Sequence, residues 1–291
     1  MWTFQRLALV GMSLFFVLSG FIIHYNYAHR VYVFNFSDLY DFFLARFSRL
    51  YPLFISLVIF DIFVSNFFIV SDAIDRSSYI RLFLYYFTGT HSWFYGDINN
   101  HPISFAYKFS VISWSISTEF FLYLCFPFIS YFLYRFQSIS FILFSVIQFI
   151  IAVFIVYIFR SNYAVVNNMA ELLLGIRSEI KSIPPLLFSD WLTYISPYGR
   201  LPEFITGCTA AQLYLILRKY PTTAIENIFS IIFMTISLFY ILFNLSPTAS
   251  EYLPFRQTMY WMGFFPVMPI IIFCCARYSN VISQFFQKRF S

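Results

Sequence analysis

The chain has 291 residues, of which 60% are hydrophobic, 24% aromatic and only 11% charged. A soluble domain is about half apolar and about a quarter charged, so this composition excludes an ordinary soluble globular protein and predicts a polytopic membrane protein. The net charge of +5 rests on only 18 Lys and Arg residues, which fall between the apolar runs. That distribution excludes the basic stripe of a nucleic-acid-binding protein.

Seven apolar runs approach or exceed the roughly 20 residues that a transmembrane helix needs. In chain order they are 7–27, 50–70, 115–134, 139–159, 201–217, 225–245 and 259–276. An eighth segment, 79–94, is short and carries Arg81, so we predict a re-entrant or interfacial helix there. The predicted fold class is all-α: a transmembrane helix bundle of about seven spans plus one short helix, in a single integral membrane domain over residues 1–291.

The basic residues predict which connections face the cytoplasm, because cytoplasmic loops carry an excess of Lys and Arg. The clusters are Arg30 with Arg46 and Arg49, then Arg135, then Arg218 with Lys219, and finally Arg277 with Lys288 and Arg289. All of them lie on one side of the membrane if 79–94 does not cross it. If 79–94 does cross, one cluster lies on the wrong side, or part of 160–199 also enters the membrane. Within that loop, 169–180 is a possible amphipathic helix.

The four cysteines all lie inside apolar runs, and none follows a Cys-x-x-Cys spacing. They are Cys125, Cys208, Cys274 and Cys275. We therefore expect free thiols, no zinc site and no metal cofactor.

Two arginines, Arg46 and Arg49, come directly before the apolar run 50–70. Being three residues apart, they share one face of a helix, and two guanidinium groups at the mouth of a membrane segment are suited to bind phosphate groups. A positive-inside anchor is the alternative, and it requires no ligand. From these residues alone the anchor is the simpler interpretation.

A carboxylate at bilayer depth is costly and usually lines a cavity. Glu119 follows Trp114 at the start of an apolar run, and it shares a helical face with Ser115 and Tyr123, each four residues away. Three polar side chains on one face predict a polar lane, which is a row of polar groups that faces the interior of the bundle. Hydrogen bonds that merely hold helices together are an equally supported alternative.

Further polar residues lie inside other apolar runs. Glu203 follows Arg200 and is added to the polar lane, whereas Asp61 has no neighbouring partner in the sequence and is left without a role. His24 lies one helical turn beyond Gly20 and is a candidate proton acceptor, although an interfacial polar residue is the commoner case.

Small residues interrupt the first apolar run at Ser19 and Gly20. Such residues let another helix, or a ligand chain, approach the backbone closely. The sequence alone does not distinguish these two uses.

Four strings in this order resemble the acyltransferase-3 family of membrane O-acyltransferases. They are Gly11-Met-Ser-Leu-Phe-Phe-Val-Leu-Ser-Gly-Phe21, Arg46-Phe-Ser-Arg49-Leu-Tyr-Pro52, Trp114-Ser-Ile-Ser-Thr-Glu119 with Tyr123 and Pro127, and Arg200-Leu-Pro-Glu-Phe-Ile-Thr-Gly207. Each string is weak by itself, but four in order form a fairly specific signature. The resemblance extends over nearly the whole chain.

The resemblance implies a multi-pass protein of a bacterial inner membrane that moves an acyl group, by default acetyl, from cytoplasmic acyl-CoA to a hydroxyl of a cell-envelope or exported glycan. It places Arg46 and Arg49 near the phosphates of CoA, and Ser19 and Gly20 near the acyl path. By this resemblance, Glu119 occupies the acidic position of the family's Trp-Ser-x-Ser-x-Glu motif. The implied donor is acetyl-CoA without a metal, and the implied partners are membrane lipid and a glycan, with no nucleic acid.

Transfer of an acyl group from a thioester to an alcohol needs a base and a donor that stabilises the oxyanion. Glu119 is the candidate base, or it orients a histidine as the third member of a relay. The available histidines are His24, His29, His91 and His101, and only His24 lies within a clear span. The candidate catalytic residues are therefore Glu119 and His24.

The sequence departs from the family pattern towards both ends. Family members begin with another helix in which a histidine follows an arginine by eleven residues, whereas here Val17 stands eleven residues after Arg6. The segment 285–291 resembles the link before the last helices of the family. The resemblance therefore predicts the middle part of such an enzyme, incomplete at both ends, and leaves open whether the chain is active by itself.

Two other functions fit the same residues. A transporter or flippase of lipid-linked sugars also uses buried carboxylates and re-entrant segments, although no repeated halves are visible in this sequence. An inactive partner of an intact relative is the third possibility. Movement of a glycan without covalent change would favour the transporter, and an upstream in-frame helix in the gene would argue against the inactive partner.

Overall fold

A computed structural model of the chain describes residues 2–68, 76–98, 101–105, 113–135, 141–177, 179–181, 186–246 and 264–278. Helices dominate these ranges, which confirms the predicted all-α membrane bundle. They are α1 (Trp2–Val31), α2 (Phe36–Phe68), α3 (Arg76–Phe87), α4 (Ser113–Tyr134), α5 (Phe141–Ser161), α6 (Tyr163–Leu174), α7 (Phe188–Asp190), α8 (Pro197–Leu217), α9 (Ala224–Leu245) and α10 (Met268–Arg277).

Short non-α elements lie in the connections. Strands β1 (Asp97–Ile98) and β2 (His101–Pro102) form one antiparallel pair, and β3 (Glu179–Ile180) and β4 (Leu186–Leu187) form another. A 3₁₀ turn covers Ile103–Phe105, and a π-helical turn covers Trp191–Ile195 directly after α7.

Within the described ranges, four helical stretches are long and apolar enough to cross a bilayer. They are Leu7–Val31, Phe36–Phe60, Ser113–Tyr134 and Ala224–Leu245. Phe141–Phe154 and Met268–Arg277 are shorter apolar helices. The seventh predicted run, 259–276, lies only partly inside the described residues. The count of seven spans therefore stays a prediction.

Helix α2 begins at Phe36, well before the predicted start at residue 50. Asp38 lies in its first turn, where a carboxylate is stabilised by the partial positive charge of the helix N-terminus, and the side chain of Asn35 donates to it at 3.1 Å. Arg46 and Arg49 therefore lie inside α2, in line with the shared helical face that their spacing predicts. Its 33 residues extend over about 50 Å at 1.5 Å per residue, which leaves length for a span beyond the arginines.

The structure describes two shorter predicted segments, 79–94 in full and 169–180 in part. The helix α3, which overlaps 79–94, has 12 residues and ends before the turn at Gly89, so it is too short to cross a bilayer, in line with the predicted short helix. The possible amphipathic piece at 169–180 is helical only as far as Leu174. Helix α6 lies earlier, because Gly175 adopts a left-handed conformation with φ of 63° and ends it, and residues 179–180 form β3.

The chain divides into two compact units, and two of the four boundaries fall within α4 and α8. Unit 1 comprises Met1–Val33, Phe128–Ser161 and Pro202–Ser291, and unit 2 comprises Phe34–Pro127 and Asn162–Leu201. In unit 1, α10 packs on α9 and α1. In unit 2, buried aromatic rings of α2 and α4 form much of the core. Nothing in this division tests the predicted single domain.

Helices α1 and α8 approach each other closely within unit 1. A Cβ atom on Gly20 would overlap the carbonyl group of Phe204, and one on Gly207 would overlap the carbonyl group of Val17. The thiol of Cys208 donates to the carbonyl oxygen of Gly20 at 3.4 Å. Small residues therefore bring two backbones into contact, which is the packing role that the sequence left open for Gly20.

We predict that Gly207→Ala destabilises unit 1, because the added methyl group must push α8 away from the carbonyl group of Val17. Overpacking of this kind costs about 1–3 kcal/mol of unfolding free energy. Thermal unfolding in detergent, followed by circular dichroism, measures the effect. Gly11→Ala is the matched control, since a Cβ there meets nothing within 4 Å. Equal midpoints for the two variants would contradict the close packing.

Candidate active site

Unit 2 brings together four of the predicted site residues from α2 and α4. The phenol of Tyr123 donates a hydrogen bond to the carboxylate of Glu119, and the positive charges of Arg46 and Arg49 both act on that phenol. Glu119 is 3% exposed, Tyr123 and Arg46 are also buried, and Arg49 is exposed. These four residues, which we call the α2–α4 cluster, place two positive charges within electrostatic reach of a phenol that hydrogen-bonds a buried carboxylate.

Aromatic packing fixes the alignment of α2 against α4 around this cluster. Phe42 contacts Phe126 with ring centroids 5.1 Å apart. Farther along α2, Phe47 stacks on Phe120 at 4.8 Å, and Phe54 meets the same ring edge-on at 6.0 Å. The helices therefore run antiparallel in this region, and Arg46, between Phe42 and Phe47, is directed towards the part of α4 that carries the cluster.

A second contact joins Trp114 and Arg200, two members of the predicted lane. Arg200 is fully buried, and its Nε donates to the carbonyl oxygen of Tyr194 at 2.7 Å. Its guanidinium carbon lies 4.6 Å from the centroid of the Tyr194 ring and 5.8 Å from that of Trp114. The two rings are 4.9 Å apart. Cation–π contacts thus hold a buried positive charge in place. Tyr194 carries no recognisable signal in the sequence, because it lies in a π-helical turn without apolar periodicity.

The hydroxyl groups of the motif around Glu119 hold a neighbouring loop. Ser92 hydrogen-bonds to Ser117 at 2.9 Å and to Thr118 at 3.1 Å, and Thr118 donates to the carbonyl oxygen of Ile195 at 2.9 Å. All three hydroxyl side chains are buried, as is Ser115. This network gives the motif a positioning role beside the carboxylate. The polar loop that contains Ser92 was the only sequence signal for it.

His91 is buried in the same unit between two aromatic rings. It stacks on Tyr86 with centroids 4.0 Å apart and on Phe54 at 5.8 Å, and its Nε2 lies 3.1 Å from the hydroxyl oxygen of Ser113. Burial lowers the pKa of His91 to about 3, so the imidazole is neutral near pH 7. A neutral stacked ring is suited to support the start of α4.

Unit 1 contains the other predicted site residues. The hydroxyl group of Ser13 donates to Glu203 at 2.6 Å, and His24 lies 2.9 Å from the side-chain oxygen of Gln212. All four side chains are buried, and both pairs join α1 to α8. Gln212 and Ser13 were missed, although a Gln and a Ser inside apolar runs are recognisable signals of polar helix contacts. Ser19 is partly buried on α1.

The predicted residues therefore fall into two sets. Unit 2 contains Trp114, Ser115, Glu119, Tyr123, Arg46, Arg49 and Arg200. Unit 1 contains Ser19, Gly20, His24 and Glu203. The two candidate catalytic residues, Glu119 and His24, belong to different units. The side chain of Asp61 lies outside the described residues. Among the described side chains, no group of three or more His, Cys, Asp or Glu residues could hold a metal ion.

The sequence model of a family described as an acyltransferase domain matches residues 1–291. This match includes both sets of predicted site residues and every described helix. No curated protein and no solved structure matches the chain.

We predict that His91 makes stability depend on pH. Below an ordinary histidine pKa of 6.5 the unfolded chain binds a proton at His91, whereas the folded chain does not until about pH 3. Stability is therefore complete above pH 6.5 and falls as the pH is lowered towards 3, by about 1.4 kcal/mol per pH unit for one proton.

Unfolding midpoints measured in detergent between pH 7.5 and 4 test this prediction. His91→Gln should lose this part of the pH dependence, whereas the exposed His29→Gln should keep the slope of the unmodified protein. Identical slopes for all three proteins would show that His91 is not the responsible group.

Proposed function

Because the chain belongs to the acyltransferase-3 family of integral membrane acyltransferases, we propose that it moves an acyl group, by default acetyl, from cytoplasmic acyl-CoA to a hydroxyl of a cell-envelope or exported glycan. The observation that carries the proposal is the α2–α4 cluster. A carboxylate, a phenol and two guanidinium groups meet on helices of membrane-spanning length. Such a combination can bind an anionic donor and promote proton transfer.

The donor is assigned to the arginine side of the cluster. Arg49 is exposed and accessible to a water-soluble carrier, whereas Arg46 is buried beside the phenol. Guanidinium groups bind phosphates through paired hydrogen bonds, and CoA carries several phosphates. The positive-inside pattern also favours the cytoplasm for this end of α2. A simple membrane anchor would not require Arg46 to be buried near the phenol that hydrogen-bonds Glu119.

The transfer step is assigned to the carboxylate side. The acceptor hydroxyl gives its proton to Glu119 while its oxygen attacks the thioester carbonyl carbon, so that a tetrahedral intermediate forms. The C–S bond then breaks, and the CoA thiolate leaves and takes up the proton. Tyr123 holds the carboxylate by its hydrogen bond.

His24 is the alternative base, and its contact with Gln212 suits a packing role as well. In one mechanism Glu119 is the base by itself. In the other, His24 is the base and Glu119 orients it, so both side chains are needed for transfer. Replacing each of them therefore distinguishes the two mechanisms.

We predict that the double variant Arg46→Ala, Arg49→Ala binds acetyl-CoA more weakly by at least about tenfold. A hydrogen bond to a charged group contributes about 1.5–3 kcal/mol, so the loss of two phosphate contacts should be easily measured. Isothermal titration of the purified protein in detergent measures it. The exposed pair Arg218→Ala, Lys219→Ala removes the same charge and is the control.

Acetyl-pantetheine, which lacks the nucleotide phosphates, adds a second control. It should bind equally to the unmodified protein and to the Arg46, Arg49 variant. Undiminished acetyl-CoA binding by that variant would remove the phosphate-binding role.

We predict that Glu119→Gln lowers transfer by about 100-fold or more while acetyl-CoA still binds, because general-base catalysis contributes about 10²–10⁴-fold. Transfer is measured as radiolabel that passes from acetyl-CoA to the glycan fraction of membranes containing the protein. Tyr123→Phe should have a smaller effect, and Tyr131→Phe, exposed on the same helix, should have none.

Full transfer by Glu119→Gln would exclude the carboxylate as base. If His24→Gln alone abolished transfer, the histidine would replace it. Glycan that crosses the membrane without gaining label would instead favour the transporter.

A further inference from the structure

Unit 1 contains a cavity of about 560 Å³ that the acyl-transfer proposal does not use. Helices α5, α8, α9 and α10 all contribute to it, and its volume lies in the range of roughly 300–1,000 Å³ that is usual for ligand sites. The wall includes Phe149, Phe233 and Phe273. A cavity of this size among helices of a membrane protein is suited to a long apolar ligand.

Most hydroxyl groups in the wall are turned back to their own helices. Ser145 donates to the carbonyl oxygen of Phe141 at 2.7 Å, and Thr209 donates to that of Ile205 at 2.9 Å. Ser230 donates to its own helix in the same way. These groups are already satisfied, so they present little polarity to the cavity. An occupant of the inner part is therefore expected to be a hydrocarbon chain.

One end of the cavity has a different chemistry. Glu226 lines the cavity at that end, and its Oε2 atom lies 3.9 Å from an Nη2 atom of Arg277, a distance too long for a hydrogen bond. Glu226 Oε2 and Arg277 Nε are both buried atoms without a hydrogen-bond partner. Glu226 Oε2 therefore needs a hydrogen-bond donor, and Arg277 Nε needs an acceptor. Oε1 of Gln148, also in the wall, is a second acceptor without a partner.

We propose that this cavity binds one acyl chain of a phospholipid whose head group carries both a phosphate and a primary ammonium group, as in phosphatidylethanolamine. The chain fills the apolar part, the phosphate accepts from Arg277, and the ammonium donates to Glu226. A head group with phosphate alone would place its charge beside the Glu226 carboxylate without offering it a donor.

The position of the charged end agrees with this occupant. Arg277, Arg218 and Lys219 belong to the basic clusters that the positive-inside pattern assigns to the cytoplasmic surface. The outer face of α9, which includes Ile228, Ile232 and Phe239, is exposed and apolar, as for a helix that contacts lipid. A lipid of the inner leaflet can therefore enter the cavity with its head at the charged end.

Photo-crosslinking tests the chain site. The purified protein, in nanodiscs, is irradiated with phosphatidylethanolamine that carries a diazirine in one acyl chain, and labelled peptides are identified by mass spectrometry. We expect label on cavity residues of α5, α8 and α9. Ser230→Phe fills the cavity and should strongly reduce that label, whereas Thr235→Phe, an exposed hydroxyl residue on the same helix, should not.

Ala210→Phe fills the cavity from α8 and serves as a second cavity-filling variant. Unfolding midpoints are measured for both variants, so that a folding defect in one of them is recognised. Label confined to the exposed outer faces, or equal labelling of Ser230→Phe and Thr235→Phe, would overturn the proposal. So would strong cavity labelling in both folded cavity-filling variants.

The head-group assignment has its own test with the same diazirine chain on three head groups. Phosphatidylethanolamine should label the cavity more than phosphatidylcholine, whose ammonium has no N–H donor, and more than phosphatidylglycerol, which has no ammonium. Arg277→Gln should reduce labelling about fivefold, since one basic side chain near a lipid phosphate contributes about 1 kcal/mol. The exposed Lys219→Gln is the control.

Glu226→Gln should abolish the preference for ethanolamine over choline, whereas Glu171→Gln, which is exposed on α6, should retain it. Equal labelling by the three head groups in the unmodified protein would overturn the head-group assignment. Because the readout is lipid labelling, failure here leaves the acyl-transfer proposal unaffected, and loss of acyl transfer leaves this site unaffected.

Discussion

A carboxylate in an apolar helix bundle must be hydrogen-bonded and close to positive charge, and this requirement organises unit 2. An ionised group without partners would cost several kcal/mol at such a position. Glu119 meets the requirement through the phenol of Tyr123, one helical turn away, and both lie near the guanidinium groups of α2. The contacts of Phe42 and Phe47 with α4 fix the position of those guanidinium groups along the axis of α4. Packing and chemistry therefore depend on the same alignment of two helices.

The same constraint accounts for the remaining buried polar residues. Arg200 is held between aromatic faces and a carbonyl oxygen, Glu203 accepts from Ser13, and His24 contacts Gln212. The partners of Glu203 and His24 come from a distant part of the chain, whereas that of Arg200 lies six residues earlier. The α2–α4 cluster differs in composition from the Ser13–Glu203 and His24–Gln212 pairs. It combines a carboxylate with two guanidinium groups, one of which is exposed. That difference is why the proposed chemistry is assigned to this cluster and not to the pairs of unit 1.

The class of fold was predictable from the sequence to a greater extent than the helix boundaries and the side-chain partners. The apolar runs identified the helices, and the spacings of Arg46 to Arg49 and of Glu119 to Tyr123 indicated shared faces, because helical periodicity is a local property. Helix α2 begins earlier than its apolar run, because helix propensity and the Asp38 turn extend the helix beyond that run. The amphipathic piece at 169–180 is helical only in part, because the left-handed Gly175 ends α6 within that range.

Partners from distant segments could not be predicted from one sequence. Nothing in the spacing of Tyr194 and Arg200, or of Ser92 and Ser117, shows that these side chains meet, since the contacts depend on how a loop folds back. Gly20 shows the same limit, because a small residue suits a ligand or a helix equally, and only the position of Phe204 distinguishes them.

The most direct test of the central claim is a double-mutant cycle between α2 and α4. Unfolding free energies in detergent are measured for Arg46→Gln, Glu119→Gln, the double variant and the unmodified protein. If the two side chains share one electrostatic cluster, the two losses are not additive, and the coupling energy falls within the range of about 0.5–3 kcal/mol that is usual for residues of one network. Additive losses would show that Arg46 and Glu119 do not interact, and the account of the site would be contradicted.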